Sequence, residues 1–233
     1  MSQDLQARQE ALNTARARYY EFLSFPLFWG QSEDDFEAFL AQARFLATAP
    51  ITPENERDFK KIYNFEWAKF QKEQNAVLFD LSFVNVPQTA SFFDEGRDDG
   101  KKRVEVINIL KKANLAIDAQ LSEDYIGLIF ALASRLLGEQ KAQLAGELFG
   151  VINGFADEFC ELLREHDNSK FFTAYANILA SFVTLEREFL SLAAPQKPEV
   201  SQAKIALAKK PYETKVKSSV RRTKIFEEEF TKL

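Results

Sequence analysis

The sequence predicts an all-α protein, a single globular helical bundle, and three observations carry that reading. Apolar residues recur at intervals of three and four along most of the 233 residues. Hydrophobic residues make up 46% of the chain, with Phe alone at 23 positions, enough large apolar surface to offset the entropy of ordering a core. Only one stretch, VLFDLSFVNV over 77–86, alternates as a strand would, and it has no second strand to pair with.

Taken in order, Leu5, Leu12, Ala15, Tyr19 and Phe22 mark one face of a first helix, which Pro26 stops. Phe36, Phe39, Leu40, Ala43 and Leu46 mark a second. Thr52-Pro53 pairs a capping hydroxyl with proline at the first helical position, ahead of Phe59, Ile62, Tyr63 and Phe70. Residues 77–86 read as an extended crossing segment that leads into a charged loop with glycines at Gly96 and Gly100. A helix carrying Val106, Ile109, Leu110 and Ala113 opens near Gly100. Ser122 reads as the N-cap of the next, with Glu123 and Asp124 in its first turn, Leu121 stapled onto Ile126, and Gly138 as its left-handed stop. Two long amphipathic helices follow, one through Leu144, Leu148, Val151, Ile152, Phe155, Phe159 and Leu163, the other through Phe171, Tyr175, Ile178, Phe182, Leu185 and Phe189. These seams close by Leu192. Residues 1–194 therefore form the helical domain, and 195–233 are expected to be a flexible tail with a short helix near its end.

Composition narrows the function. Mean hydropathy is −0.28, and no apolar run approaches the ~20 residues of a membrane span. The N-terminal stretch lacks a signal-peptide pattern, so a cytoplasmic protein is expected. Cys160 is the single cysteine and follows the apolar rhythm of Phe155 and Phe159, as a buried thiol would. His166 is the single histidine and falls in EHDNSK, a helix-to-helix turn at the surface. One Cys and one His cannot build the usual metal or haem ligand sets, so no cofactor is expected. Phosphate-cradling glycine loops, dinucleotide fingerprints and nucleophile elbows are all missing, which points away from an enzyme. Net charge is −5, but residues 195–233 hold ten Lys and Arg against five Glu, leaving −10 on the remainder. An acidic body disfavours nucleic acid and attracts a basic partner.

Three stretches then bear on identity. Tyr20-Glu21-Phe22-Leu23-Ser24 lies in the opening helix; Val86-Pro87, Ser91-Phe92-Phe93-Asp94-Glu95-Gly96 and Gly100 form the central run; Ser122-Glu123-Asp124-Tyr125 precedes the long apolar helix. Their order and spacing, with Phe171-Phe172 and Tyr175 near the last core helix, resemble the TorD/DmsD/NarJ family of redox-enzyme maturation chaperones over roughly residues 10–192. Two positions depart from the family pattern: Ser122 stands for a proline and Tyr125 for a histidine, so a pH-sensitive role for that histidine is in doubt here.

The resemblance implies a non-enzymatic chaperone. It would hold the apo form, or the twin-arginine signal peptide, of a molybdopterin-dependent oxidoreductase subunit, such as a formate dehydrogenase or a TMAO or DMSO reductase, until its cofactor is inserted. It implies a client-binding set of Tyr20, Leu23, Ser91, Phe92, Glu95, Gly96, Gly100, Glu123, Asp124 and Tyr125. The motifs also have structural readings: Tyr20 and Phe22 as core, Glu123 and Asp124 as counter-charges to a helix N-terminus, and 94–103 as a solvated turn. A signal peptide is a basic arm followed by an apolar stretch, so its receptor needs an aromatic groove beside acidic surface. Burying about four leucine-sized side chains yields roughly 6–12 kcal/mol gross, and ordering costs reduce that to releasable, micromolar-range binding. The other reading is a helical adaptor that uses the basic tail on RNA or a membrane surface. Monomer and dimer, including a swapped dimer, both remain open.

Overall fold

In a computed structural model, residues 3–80, 84–117, 120–196 and 201–208 are described. They contain ten α-helices in chain order: α1 Gln3–Ser24, α2 Glu33–Leu46, α3 Pro53–Tyr63, α4 Trp67–Gln74, α5 Ala90–Glu95, α6 Lys101–Ala113, α7 Ile126–Gly138, α8 Ala142–Glu165, α9 Phe171–Leu190 and α10 Gln202–Ala208. A 3-10 turn at Phe25–Leu27, with Pro26 inside it, ends α1 as expected. α1 lies along α7, α7 on α8, α8 on α9, α9 on α3 and α3 on α2. The only backbone bridge among the described residues is an isolated antiparallel one between Thr89 and Tyr125.

Aromatic packing explains the phenylalanine usage. Phe22 and Phe25 both stack on Phe39, Phe36 stacks on Phe70 at 4.7 Å, and Phe70 meets Phe171 edge-on at 4.9 Å. This chain of rings ties α1, α2, α4 and α9 together, each contact adding about 0.5–1.5 kcal/mol beyond area burial. Tyr20 meets Phe182 edge-on at 4.8 Å, and its hydroxyl donates to Glu186 Oε2 at 2.7 Å. The same carboxylate takes Arg16 Nε at 2.5 Å and Nη2 at 2.8 Å, with Arg16 only 3% exposed. α1 and α9 are thus joined by a buried, bidentate ion pair that the apolar periodicity does not reveal.

Several sequence expectations shift. Leu5, Leu12 and Ala15 are exposed rather than inward, because the first half of α1 lies on the surface and the inward position at its middle belongs to Arg16. The expected helix over 53–70 is two, with a break at 64–66. The proposed crossing segment begins as a π-helical turn, Asn75–Phe79, burying Val77 and Leu78; residues 84–89 are irregular, and 81–83 lie outside the described residues. Gly138 is the last helical residue of α7, and the left-handed stop is Gln140 (φ 59°). There Gln140 N–H donates to Leu137 O, and Lys141 N–H to Leu136 O, a Schellman closure built without glycine. Phe189 stays partly exposed under the Arg16 guanidinium, 4.4 Å from its ring centre.

Ser122 does not cap α7. The Thr89–Tyr125 bridge, with Ile126 N–H on Gln88 O at 2.8 Å and Ala90 N–H on Asp124 O at 2.9 Å, holds Tyr125 extended. The helix therefore starts three residues later than expected, and Leu121 is exposed instead of stapled. Part of the expected tail also belongs to the folded body. Residues 202–208 form α10, with Ala203 fully buried against the core. Residues 209–233, most of the basic tail, lie outside the described residues.

Candidate functional site

The loop expected to carry the site is built by helix starts that borrow their caps. Gly100 is buried, and a side chain there would press within 3.0 Å of Ser91 Cβ and 3.1 Å of Glu95 Cδ, so glycine lets α5 and α6 meet at a sharp corner. Glu95 then accepts Lys101 N–H at 2.9 Å, filling an orphan donor in the first turn of α6. That amide and the Arg97 guanidinium hold its carboxyl below the usual range. Ser91 Oγ accepts Arg103 N–H at 3.3 Å, a second orphan of the same turn. Arg103 pairs with Glu123 at 2.5 Å and with Asp99, clamping α6 to the 120–125 turn and keeping the Glu123 carboxyl low.

Asp124 is fully buried. Its Oδ2 accepts Ser91 N–H at 2.9 Å in the first turn of α5, and its Oδ1 accepts the Ser122 hydroxyl at 2.6 Å. This carboxylate therefore caps α5 across the fold rather than α7 in sequence. Tyr125 is buried as well. Its hydroxyl reaches Gln88 Oε1 at 2.5 Å and Leu27 O, and burial raises its pKa well above the ordinary phenol value. Gln88 in turn donates to Leu78 O at 2.7 Å, so the approach segment, the π turn and the α7 start are one hydrogen-bonded unit.

Between these elements runs an open groove of about 500 Å³. Val86, Phe92, Leu121, Tyr125 and Leu207 supply apolar walls, and Asp98 and Asp99 stand on its rim. Thr89 donates to Asp98 at 2.6 Å, pinning that side of the loop. A neighbouring pocket of about 280 Å³, lined by Val84, Leu162, Glu165 and His166, shares Val86 and Leu207 with it. His166 ends α8 as the expected turn, and burial lowers its pKa. Larger grooves lie elsewhere, one at α1–α2 beside Phe28 and one at Lys69, Lys72 and Lys170, but they contain none of the ten expected client-binding residues.

The structure brings eight of the ten sequence-derived positions together here: Ser91, Phe92, Glu95, Gly96, Gly100, Glu123, Asp124 and Tyr125. Of these, Phe92 and Tyr125 line the groove, while the others build its frame. Tyr20 and Leu23 sit apart. Tyr20 is buried at Glu186, and Leu23, also buried, gives its carbonyl to Tyr175 Oη at 2.6 Å. Sequence reasoning missed Asp98 and Asp99 as individual rim groups, and Leu207 altogether. Leu207 had a signal: Ser201 three residues before Lys204, an N-cap spacing realised by Lys204 N–H on Ser201 Oγ at 2.9 Å.

Among the described residues no cluster of His, Cys, Asp and Glu could hold a metal ion, and no helix is long and apolar enough to cross a membrane. The Cys160 thiol is pushed up to about 12 by burial. No protein-family model and no curated protein matches the chain. Among solved structures, a protein from Archaeoglobus fulgidus named as a candidate redox enzyme maturation protein superposes with a TM-score of 0.52 at 18% identity, over 72% of this chain and 92% of that one. The chain therefore has the all-helical fold of that maturation protein, a single helical bundle.

Proposed function

We propose that the chain is a maturation chaperone for a redox enzyme, holding the apo form or twin-arginine signal peptide of a molybdopterin-dependent oxidoreductase subunit. The observation that carries this reading is the groove between α5 and the 120–125 turn, with apolar walls and an aspartate rim, in a fold shared with a maturation protein. The apolar stretch of a signal peptide lies along Phe92 and Leu121, and its basic arm meets Asp98 and Asp99. Asp124 acts as a positioning residue, since both its oxygens are engaged on Ser91 and Ser122. Tyr20 and Leu23 contribute through the core that backs α7.

Calorimetry of the full chain against signal peptides of formate dehydrogenases and of TMAO and DMSO reductases tests this. Micromolar-range binding is expected for at least one peptide. Leu121→Asp, at a site 42% exposed, should weaken it tenfold or more, about 1.4 kcal/mol, with an unchanged melting temperature. Failure of every peptide to bind, or full affinity in Leu121→Asp, would reject this groove as the client site. Salt-sensitive binding of RNA or anionic vesicles in place of peptide would favour the adaptor reading.

A further inference from the structure

One segment of the chain, α10, closes one side of the groove proposed for the client. α10 packs on α5, and its fit is specific: a Cβ at Gly96 would fall 2.9 Å from Gln202 O and 3.2 Å from Ala206 Cβ. Gly96 has φ +67° and so both turns the chain after α5 and lets a helix backbone approach. Ala203 is fully buried at the contact. On the α8 side the Ser201 hydroxyl donates to Glu158, and Lys204 reaches Glu165 at 3.4 Å. Leu207, at the far end of α10, walls both the proposed client groove and the pocket beside it.

The α5–α8 face is thus a receptor for a short helix with small residues three apart, a basic side chain at its acidic edge and a larger apolar residue one turn on. Its hold on α10 is slight. Seven residues are too few to be helical in isolation, and Ala203 is the only one of them fully buried. Segments with so few buried contacts open at low free-energy cost. The Lys204–Glu165 pair is surface-exposed and adds little.

We propose that α10 is an exchangeable occupant of a helix-binding face, and that the client's signal peptide, as a short helix of small and apolar residues with a basic flank, displaces it. This rests on the proposed chaperone function and adds its regulation: the empty chaperone covers its own apolar site, and client binding uncovers residues 201–208.

The test uses the full chain. Ala203→Asp places a carboxylate in the buried contact and should release α10; Lys204→Glu, on an exposed side chain, weakens the same contact if the first variant folds poorly. Hydrogen exchange should show lost protection at 201–208 in both. Affinity for a binding signal peptide should rise about three- to tenfold, and a synthetic peptide of residues 200–210 should bind the Ala203→Asp chain and compete with the signal peptide. Unchanged or weaker client affinity in the released variants would overturn the exchange and make α10 a fixed part of the scaffold. Binding of the 200–210 peptide with no signal peptide binding to any form would instead reject the chaperone reading and leave the helix-binding face standing.

Discussion

Two buried carboxylates, Glu186 and Asp124, anchor two different parts of this molecule by opposite means. Glu186 lies between α1 and α9 and is met by the Arg16 guanidinium and the Tyr20 phenol, so charge is cancelled inside the aromatic core. Asp124 lies under the groove and is met by one backbone amide of α5 and one serine hydroxyl. The first locks two helices of 22 and 20 residues side by side; the second fixes the start of a six-residue helix and the corner beside it. Depth of burial is the same, yet one serves the scaffold and the other the shape of a surface. A buried acid in this fold is read by its partners.

The largest expected effect lies in the core. Glu186→Ala leaves Arg16 buried and unpaired and should cost about 3–5 kcal/mol, a fall in melting temperature of roughly 6–20 °C for a chain this size. A loss below about 1 kcal/mol would show that the pair is not sequestered and would erase the contrast. Asp124→Ala should cost less, about 1–3 kcal/mol, by orphaning the Ser91 amide. Its signature is local: faster hydrogen exchange at the start of α5, with the α1–α9 amides protected as before. Uniform loosening across the bundle would mean that Asp124, too, is a core anchor.

The smallest effect sharpens the comparison through pH. Glu73, at the end of α4, accepts the amides of Lys170 at 2.7 Å and Phe172 at 2.9 Å and so caps α9. Burial raises its carboxyl above the usual value, against the lowering pull of the Phe172 and Lys170 amides. Between an unfolded value of about 4.3 and the raised folded value, the folded chain keeps a proton that the unfolded chain has lost. This contribution is therefore complete below about pH 4.3 and is lost as pH rises through the folded value. Glu73→Gln keeps the carbonyl acceptor and removes the titration. Melting curves from pH 4 to 7 should show the variant gaining on the parent chain as pH rises. A gap moving the other way would mean that the amides outweigh burial.

Much of the bundle was legible in the sequence because helical periodicity is a local signal. Val106, Ile109, Leu110 and Ala113 are all buried as their spacing predicts, as are Phe36, Phe39, Leu40, Ala43 and Leu46. Thr52 caps α3 as expected, through Asn55 N–H at 3.4 Å. The candidate site was legible as a neighbourhood, since the 91–100 loop and the 122–125 turn do meet. Which side chains face the groove was not. Asp124 looked like a charged helix start and is wholly internal, while Leu121 looked like a staple and is exposed.

The amino-acid sequence by itself determined the helical class, the inward stripes of most helices and the acidic body, because each follows from residues within a few turns of one another. The tertiary structure alone decided how helices begin and what charges mean. Asp124 caps a helix 33 positions back, Glu73 one 97 positions ahead, and Arg16 finds its acid 170 positions away. Capping rules read from sequence assume that an orphan amide is met by its neighbour. Here the amides of α5 and α9 are met by whichever buried carboxylate packing brings to them, and no local spacing encodes that choice.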